Sequence, residues 1–356
     1  MAGRKQRSRR LYDRLSYNLI EVIERLQSTP GLPSLTELAE ETGMHVSTLW
    51  RRIKTLQEYN VEFSADVNYS ALGFRRIVLV TRKSIPVELA SNDYLEYFAP
   101  LIPRGSLLQF LASPTLTDYL IEAVRNGIDS SIVDKLAIYG FHYNPKPNLR
   151  VFYDMAKKEI TPNWGHVFDM VKLASSYRIN AYSRKAKYDE IDLFILEQLI
   201  RDPFLSMREI TKMLQEAVYR REWRVKPPYS SVTYSRVRRH FLNHIIGRNI
   251  VSGIHVKTVP FSEDEGIELA IFYKAPTRYP HLIASAFSEH PYTLYSMVSL
   301  DEREGMIRIV VPGRDVRGLI ELMETFEREG FIEEWNAYVV DRYNALTRRV
   351  SFKYFL

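Results

Sequence analysis

Along the first part of the chain, apolar residues recur at spacings of three and four. Leu11, Leu15, Leu19, Val22, Ile23 and Leu26 make one stripe, which predicts a helix with a single buried face. Pro30-Gly31-Leu32-Pro33 stops it. Ser34 then opens a short second helix as N-cap, with Glu37 three residues on completing a capping box, and Gly43 ends it. A third helix follows from His45 to Leu56, with Leu49, Ile53 and Leu56 behind it and Arg51, Arg52 and Lys54 away from that seam. From Asn60 to Val67 and from Phe74 to Thr81 the pattern changes to β-formers, read as the two strands of a wing. Three helices and a wing make a winged helix-turn-helix.

Further on, the predicted order is a strand at Ile77 to Thr81, a helix at Val87 to Phe98, strands at Ser106 to Ala112 and Tyr119 to Val124, a helix at Ser130 to Tyr139 and a strand at Leu149 to Tyr153. That is β-α-β-β-α-β, the ferredoxin-like split motif. The same programme then restarts. Helices are predicted at Asp189 to Arg201, Ser206 to Leu214 and Ser230 to Ile246, with a wing around Ile250 to Thr258. A second ferredoxin-like unit follows, with strands at Glu268 to Tyr273, Thr293 to Leu300, Met306 to Val311 and Ile332 to Val340 and helices at Pro280 to Phe287 and Val316 to Arg328. The expected fold class is therefore α+β, a tandem repeat of winged helix-turn-helix and ferredoxin-like βαββαβ domain. The boundaries read as 1–10 for a basic arm, 11–73 and 74–155 for the first copy, 156–187 for a linker with a helix near His166 to Ala174, and 188–262 and 263–356 for the second copy.

Composition narrows the chemistry. With 356 residues and 46% hydrophobic content the chain can bury more than one core. It has no cysteine, which excludes disulfides, thiolate metal sites and cysteine nucleophiles. No apolar run is long enough to span a bilayer and no secretory signal is evident, so a cytoplasmic location without membrane contact is expected. Of the formal charge of +6, five positive charges sit in the first ten residues, on Arg4, Lys5, Arg7, Arg9 and Arg10. Such an arm suits an anionic polymer; the plainer reading is a solubilising tail.

The stretch Gly43-Met-His-Val-Ser-Thr-Leu-Trp-Arg-Arg-Ile-Lys-Thr-Leu56 resembles the recognition-helix signature of the Lrp/AsnC family of transcription regulators. Leu35 to Gly43 is similar to that family's second helix, and Tyr69 to Gly73 to the stretch after its wing. The resemblance implies one winged helix coupled to one ferredoxin-like effector domain per copy, working in dimers or higher assemblies. It also implies double-stranded DNA as partner and a small-molecule effector at the ferredoxin-like domains. The corresponding loops, Ala112 to Asp118 and Leu300 to Gly305, differ from one another and are not glycine-rich.

A helix of this kind can enter the major groove while its back is anchored, so His45, Ser47, Thr48, Arg51, Arg52 and Lys54 are the candidate contacts, Arg51 to a guanine edge and Arg52 to phosphate. Trp50 either packs toward the first helix or lies on the DNA backbone. The second head carries a long basic-aromatic insertion, with Arg220, Arg221, Arg224 and Lys226 among Tyr219, Trp223, Tyr229 and Tyr234. Its third helix aligns Ser235 on Ser47, Val237 on Leu49 and Arg239 on Arg51, adding Arg236 and Arg238. Phosphate contact and base stacking are expected there. His240 and His244 have zinc-like spacing, yet no HExxH glutamate and no third ligand is evident in the sequence. Asp189, Glu190 and Asp192 read as helix-start charges. No cofactor, metal or catalytic centre is therefore expected.

The reading is a DNA-binding transcription regulator, a tandem pseudo-dimer that can also pair as a homodimer. The alternatives are an architectural protein that binds DNA without sequence choice and an enzyme like siroheme decarboxylases, which share paired Lrp/AsnC-like units. For the latter, a clear histidine-arginine motif before the second ferredoxin helix is lacking.

Overall fold

A computed structural model describes residues 15–87, 92–174, 185–225, 232–258 and 265–355. The first head is α1 (Tyr17–Ser28), α2 (Leu35–Thr42) and α3 (Val46–Glu58). The Ser34–Glu37 capping box forms, and Gly43 ends α2 in the left-handed region at φ 64°, a backbone shape glycine adopts without strain. Val22, Ile23, Leu26, Leu38, Leu49, Ile53 and Leu56 close the core between the three helices.

β1 (Glu62–Val67) departs from the expected wing. It does not form a hairpin with β2 (Arg75–Thr81), which belongs to the central sheet. The rest of the first copy is β3 (Leu95–Ile102), β4 (Ser106–Ala112), α4 (Thr117–Gly127), β5 (Val133–Tyr143), the short α5 (Leu149–Phe152) and the small β6 (Tyr153–Asp154) and β7 (Glu159–Ile160) ladder.

Four predictions are corrected here. Leu95 to Phe98 is strand, Tyr119 to Val124 is helix, Val133 to Tyr139 is strand, and Leu149 to Phe152 is helix. In α4 the buried positions are Thr117, Leu120 and Val124, a spacing of three and four, while Tyr119 is exposed. The β-branched and aromatic content of that segment concealed its period.

α6 (Trp164–Ala174) bridges to the second head, α7 (Glu190–Arg201), α8 (Met207–Tyr219) and α9 (Tyr234–Arg239), which runs on as a π-helical stretch His240–Ile246. β8 (Val251–Lys257) follows this head, and the second ferredoxin-like unit is β9 (Ile267–Lys274), α10 (Tyr279–Ser288), β10 (Thr293–Ser299), β11 (Glu304–Val311), α11 (Val316–Arg328) and β12 (Glu334–Val340), followed by β13 (Leu346–Thr347). The class is α+β, and within each copy the sheet order is fourth, first, third, second strand, as a split βαββαβ unit requires.

The two copies are joined in two ways. β1 pairs antiparallel with β8, its counterpart in the other copy, from Glu62↔Lys257 to Val67↔Val251. A lone wing strand is thus satisfied by its repeat. The two ferredoxin sheets also merge edge to edge, in the order β12-β9-β11-β10-β5-β2-β4-β3-β13 among the described residues. β12 returns to β3 through Val339↔Ile102 and Val340↔Leu101, so the sheet closes into a barrel, and β13 covers the rest of the β3 edge. Among the described residues, closure pairs both edge strands of the large sheet, which protects edges that could otherwise template aggregation.

Candidate functional site

Strand periodicity dictates what the barrel encloses. Side chains two apart share a face. Val78 and Val80, Ala99, Leu107, Ala137 and Tyr139, Ala270 and Phe272, Met297 and Met306 form an apolar plug inside. One step further along the same inward phase the residues become polar: Arg76 on β2, Tyr97 on β3, Gln109 on β4, Glu268 on β9, Tyr295 on β10 and Arg308 on β11. These line a chamber of about 500 Å³ at one end of the barrel, with His142, His255, Lys257, Arg342 and Arg348 around it.

Repeat symmetry organises the contacts. Tyr97 faces Gln109 across β3–β4, and Tyr295 faces Arg308 across β10–β11. Tyr97 Oη donates to Glu268 at 3.2 Å, and Tyr295 Oη donates to Gln109 Oε1 at 2.6 Å, so each tyrosine reaches into the other copy. Arg76 holds Glu96 through Nε at 2.9 Å and Nη2 at 3.1 Å. Arg308 holds Glu268, with its guanidinium 3.6 Å from the Tyr97 ring centroid and 5.0 Å from that of Tyr295.

Five cations, Arg76, Arg308, Arg342, Arg348 and Lys257, surround two carboxylates, Glu96 and Glu268. Lys257 at the rim also pairs with Glu62 at 3.2 Å. Burial pushes His255 down to about 4, and burial with the Arg76 charge holds His142 well below 6.5, so both imidazoles are neutral at pH 7. His142 Nδ1, His255 Nε2 and Arg342 Nη1 are buried without a protein partner. Buried polar atoms are normally satisfied, so these three leave hydrogen-bonding capacity around the chamber.

The predicted nucleic-acid contacts lie elsewhere. On α3, His45, Ser47, Arg51 and Lys54 are exposed, and Thr48 and Arg52 half-buried. His45 is the N-cap, its Nδ1 accepting the Ser47 N–H at 3.3 Å. Arg52 folds back to Met44 Sδ at 2.9 Å, which takes it off the open face. Trp50 is half-buried against the apolar core that includes α1 and also meets Phe204 of the second head edge-on at 6.0 Å, with Lys54 Nζ 4.5 Å over its ring. Gly31 N–H donates to Ser252 O of β8 at 2.9 Å. The first head is therefore seated on the second copy rather than hung from a tether.

In the second head Ser235, Arg238 and Arg239 are exposed on α9, Arg236 is half-buried, and Val237 is buried. Arg220, Arg221 and Arg224 are exposed in the insertion. Trp223, expected as a stacking platform, is instead an anchor: it is buried, donates from Nε1 to Glu190 O at 3.0 Å and meets Phe194 edge-on. Tyr219 is 89% exposed and Tyr234 is 43% exposed, the latter with the Arg208 guanidinium 5.9 Å over its ring. Arg4, Lys5, Arg7, Arg9, Arg10, Lys226 and Tyr229 lie outside the described residues. No helix among the described residues is long and apolar enough to cross a membrane.

Residues 15–61 match a family of winged helix-turn-helix DNA-binding domains. The match spans α1, α2 and α3 of the first head, so these three helices are similar to the helix-turn-helix part of such a domain. No curated protein matches the chain. Among solved structures, it is similar to the siroheme decarboxylase NirDL, at 12% identity and a TM-score of 0.46 over 94% of both chains. The complex of that enzyme with an iron-uroporphyrin III analogue gives a TM-score of 0.44 at 12% identity, over 91% of this chain and 92% of that one. A transcriptional regulator from Neisseria meningitidis, solved with L-Met, is 18% identical, with a TM-score of 0.27 over 35% of this chain and 88% of its own.

The chamber was not foreseen. Its signal was in the strands all along: Arg76, Gln109, Glu268 and Arg308 each interrupt an apolar strand at the phase of its inward residues.

Proposed function

We propose that the protein is a DNA-binding transcription regulator of Lrp/AsnC type, a tandem pseudo-dimer that reads double-stranded DNA through α3 and α9. The observation that carries this reading is the pairing of Ser47 with Arg51 and of Ser235 with Arg239. Each pair is exposed one turn apart on a third helix whose back, at Leu49 or Val237, is buried. An arginine so placed can address guanine O6 and N7, a contact worth about 1–3 kcal/mol of discrimination. The heads differ, so the favoured operator is asymmetric, because operator symmetry follows protein symmetry.

Selection of bound DNA from a random pool tests this. The intact chain should enrich a defined motif, Arg51→Ala should degrade one part of it, and Arg239→Ala another. Binding without an enriched motif would make the protein an architectural one, and no binding at moderate salt would overturn the reading.

The chamber favours a small anionic effector as a second component. It is bounded by both ferredoxin-like units and by His255 and Lys257 of the β8 strand, so a guest there bears on the ribbon that joins the heads. Cations outnumber carboxylates around it, which sets the sign. The enzymatic alternative would use the same arginines and histidines on the carboxylates of a tetrapyrrole. An absorbance scan with added iron tetrapyrrole separates the two: a shifted spectrum lost in Arg308→Met supports the enzyme.

A further inference from the structure

We propose that the second head carries a divalent metal site of the zinc class, formed by Asp189, Asp192, His240 and His244. One ligand atom from each lies within 4.8 Å of all the others. His240 Nδ1 is 2.9 Å from Asp192 Oδ1 and 3.4 Å from Asp189 Oδ1, and His244 Nδ1 is 3.0 Å from Asp192 Oδ2. A tetrahedral ion with bonds of about 2.0–2.1 Å holds its ligand atoms roughly 3.3 Å apart, so these side chains need only small adjustments to enclose one. The third and fourth ligands hidden from the sequence come from α7, some fifty residues before the histidine pair.

The repeat supplies an independent comparison. When the N-caps Ser16 and Asp189 are superposed in sequence, Asp192 stands where the first head has Leu19. When Ser47 is set on Ser235, His244 stands where it has Leu56. Leu19 and Leu56 belong to the apolar core of the first head. The second head thus replaces two core leucines by a carboxylate that is 0% exposed and a half-buried imidazole, and adds His240 at 5% exposed. Burying such groups costs stability unless they are paired or bind a metal. A divalent ion bound through a lone pair of each imidazole would neutralise the two carboxylates.

Both carboxylates also cap α7. Asp189 Oδ1 accepts the N–H of Ile191 at 2.9 Å and of Asp192 at 3.2 Å, and Asp192 Oδ2 accepts the Asp189 N–H at 3.0 Å. These bonds hold the carboxylates in place and leave lone pairs free. The π-helical stretch begins at His240, and such bulges recur at functional sites. The donor set, two imidazoles and two carboxylates without thiolate, suits zinc, or cobalt as its spectroscopic substitute. The four ligands close the coordination shell, so the site is structural. It pins the helix that carries Ser235 and Arg239 to α7.

The test uses the full chain stripped with chelator and then dialysed against Zn²⁺, with bound metal measured by elemental analysis, and against Co²⁺, read by the visible absorption of a tetrahedral ion. About one ion per chain is expected in the parent and in a His166→Ala control, and background in His244→Leu and Asp192→Asn. Leucine at 244 is what the first head carries at the corresponding position, so His244→Leu remains informative if Asp192→Asn fails to fold. The proposal is overturned if the parent takes up no stoichiometric ion, or if His244→Leu binds as the parent does. The measurement contains no DNA, so it stands or falls apart from the regulator reading.

Discussion

Glu268→Gln is the sharpest perturbation of the barrel. Glu268 is 4% exposed and accepts from Arg308 Nε at 3.0 Å and from Tyr97 Oη at 3.2 Å, with Arg342 Nε a further 3.6 Å away. Glutamine keeps the volume but removes the charge. Arg308 cannot then turn to water, because it is 6% exposed and has Tyr97 against one face and Tyr295 nearby. Removing one partner of a buried pair costs about 3–5 kcal/mol, chiefly because the other charge is left uncompensated. For 356 residues the unfolding entropy is roughly 0.75 kcal/mol/K, so about 4 kcal/mol lowers Tm by roughly 5 °C. The double variant Glu268→Gln/Arg308→Met should recover most of that loss, since no stranded cation remains. Urea unfolding followed by tryptophan fluorescence measures all three proteins. A single variant within about 0.5 kcal/mol of the parent, or a double variant less stable than the single, would refute the argument that the pair is held by charge. The same substitution removes one of the two carboxylates of the chamber, so small anions should bind Glu268→Gln more tightly than the parent.

Acid should unfold the protein earlier than its carboxylates require. Burial lowers His255 and His281 to about 4 and His290 to about 3, against 6.5 in the unfolded chain. Their folded values are depressed, so the unfolded state takes up protons first as pH falls, and stability drops from about pH 6.5 downward. The loss between pH 7 and pH 5 is about 2 kcal/mol for each, and a Tm that is flat over this interval would contradict it. A later loss belongs to Asp66, where burial is outweighed by Lys146, Ser252 and Asn144 and the carboxyl is held at about 2. Its contribution is complete above about pH 4 and disappears as pH falls toward 2. Gly305→Ala should cost about 1–3 kcal/mol in the same urea assay, because a Cβ there overlaps the ring of Tyr273, which is 1% exposed and bonded to Pro280 O.

Much of the first head was legible because its signals are local. The Ser34–Glu37 capping box, the Gly43 stop and the Leu49, Ile53, Leu56 seam all act within one or two turns. The second ferredoxin-like unit was legible for the same reason, and α11 runs over the predicted Val316 to Arg328. The first unit was misphased where local and non-local preferences disagree. Val133 to Tyr143 carries Asp134 and Lys135 and reads as a helix start, yet both its edges are claimed, by β2 on one side and β10 of the other copy on the other. No local pattern announces a partner about 150 residues away.

The same limit explains the wing and the functional chemistry, and it indicates what the duplication is for. β1 has the composition of a wing strand, but its partner is its own repeat, so pairing of the heads is encoded twice: in the β1–β8 ribbon and in the closed barrel. An unfused pair of identical copies would place the same residue on both sides of the axis. Fusion allows the sides to diverge. Arg76 and Gln109 in the first copy correspond in register to Glu268 and Arg308 in the second, which swaps charge across the axis and lets Tyr97 reach Glu268 while Tyr295 reaches Gln109. Leu19 and Leu56 likewise correspond to Asp192 and His244. Identical subunits would repeat each of these charged side chains about the axis, whereas one fused chain can hold an asymmetric polar chamber and, among the described residues, a histidine-aspartate cluster in one head.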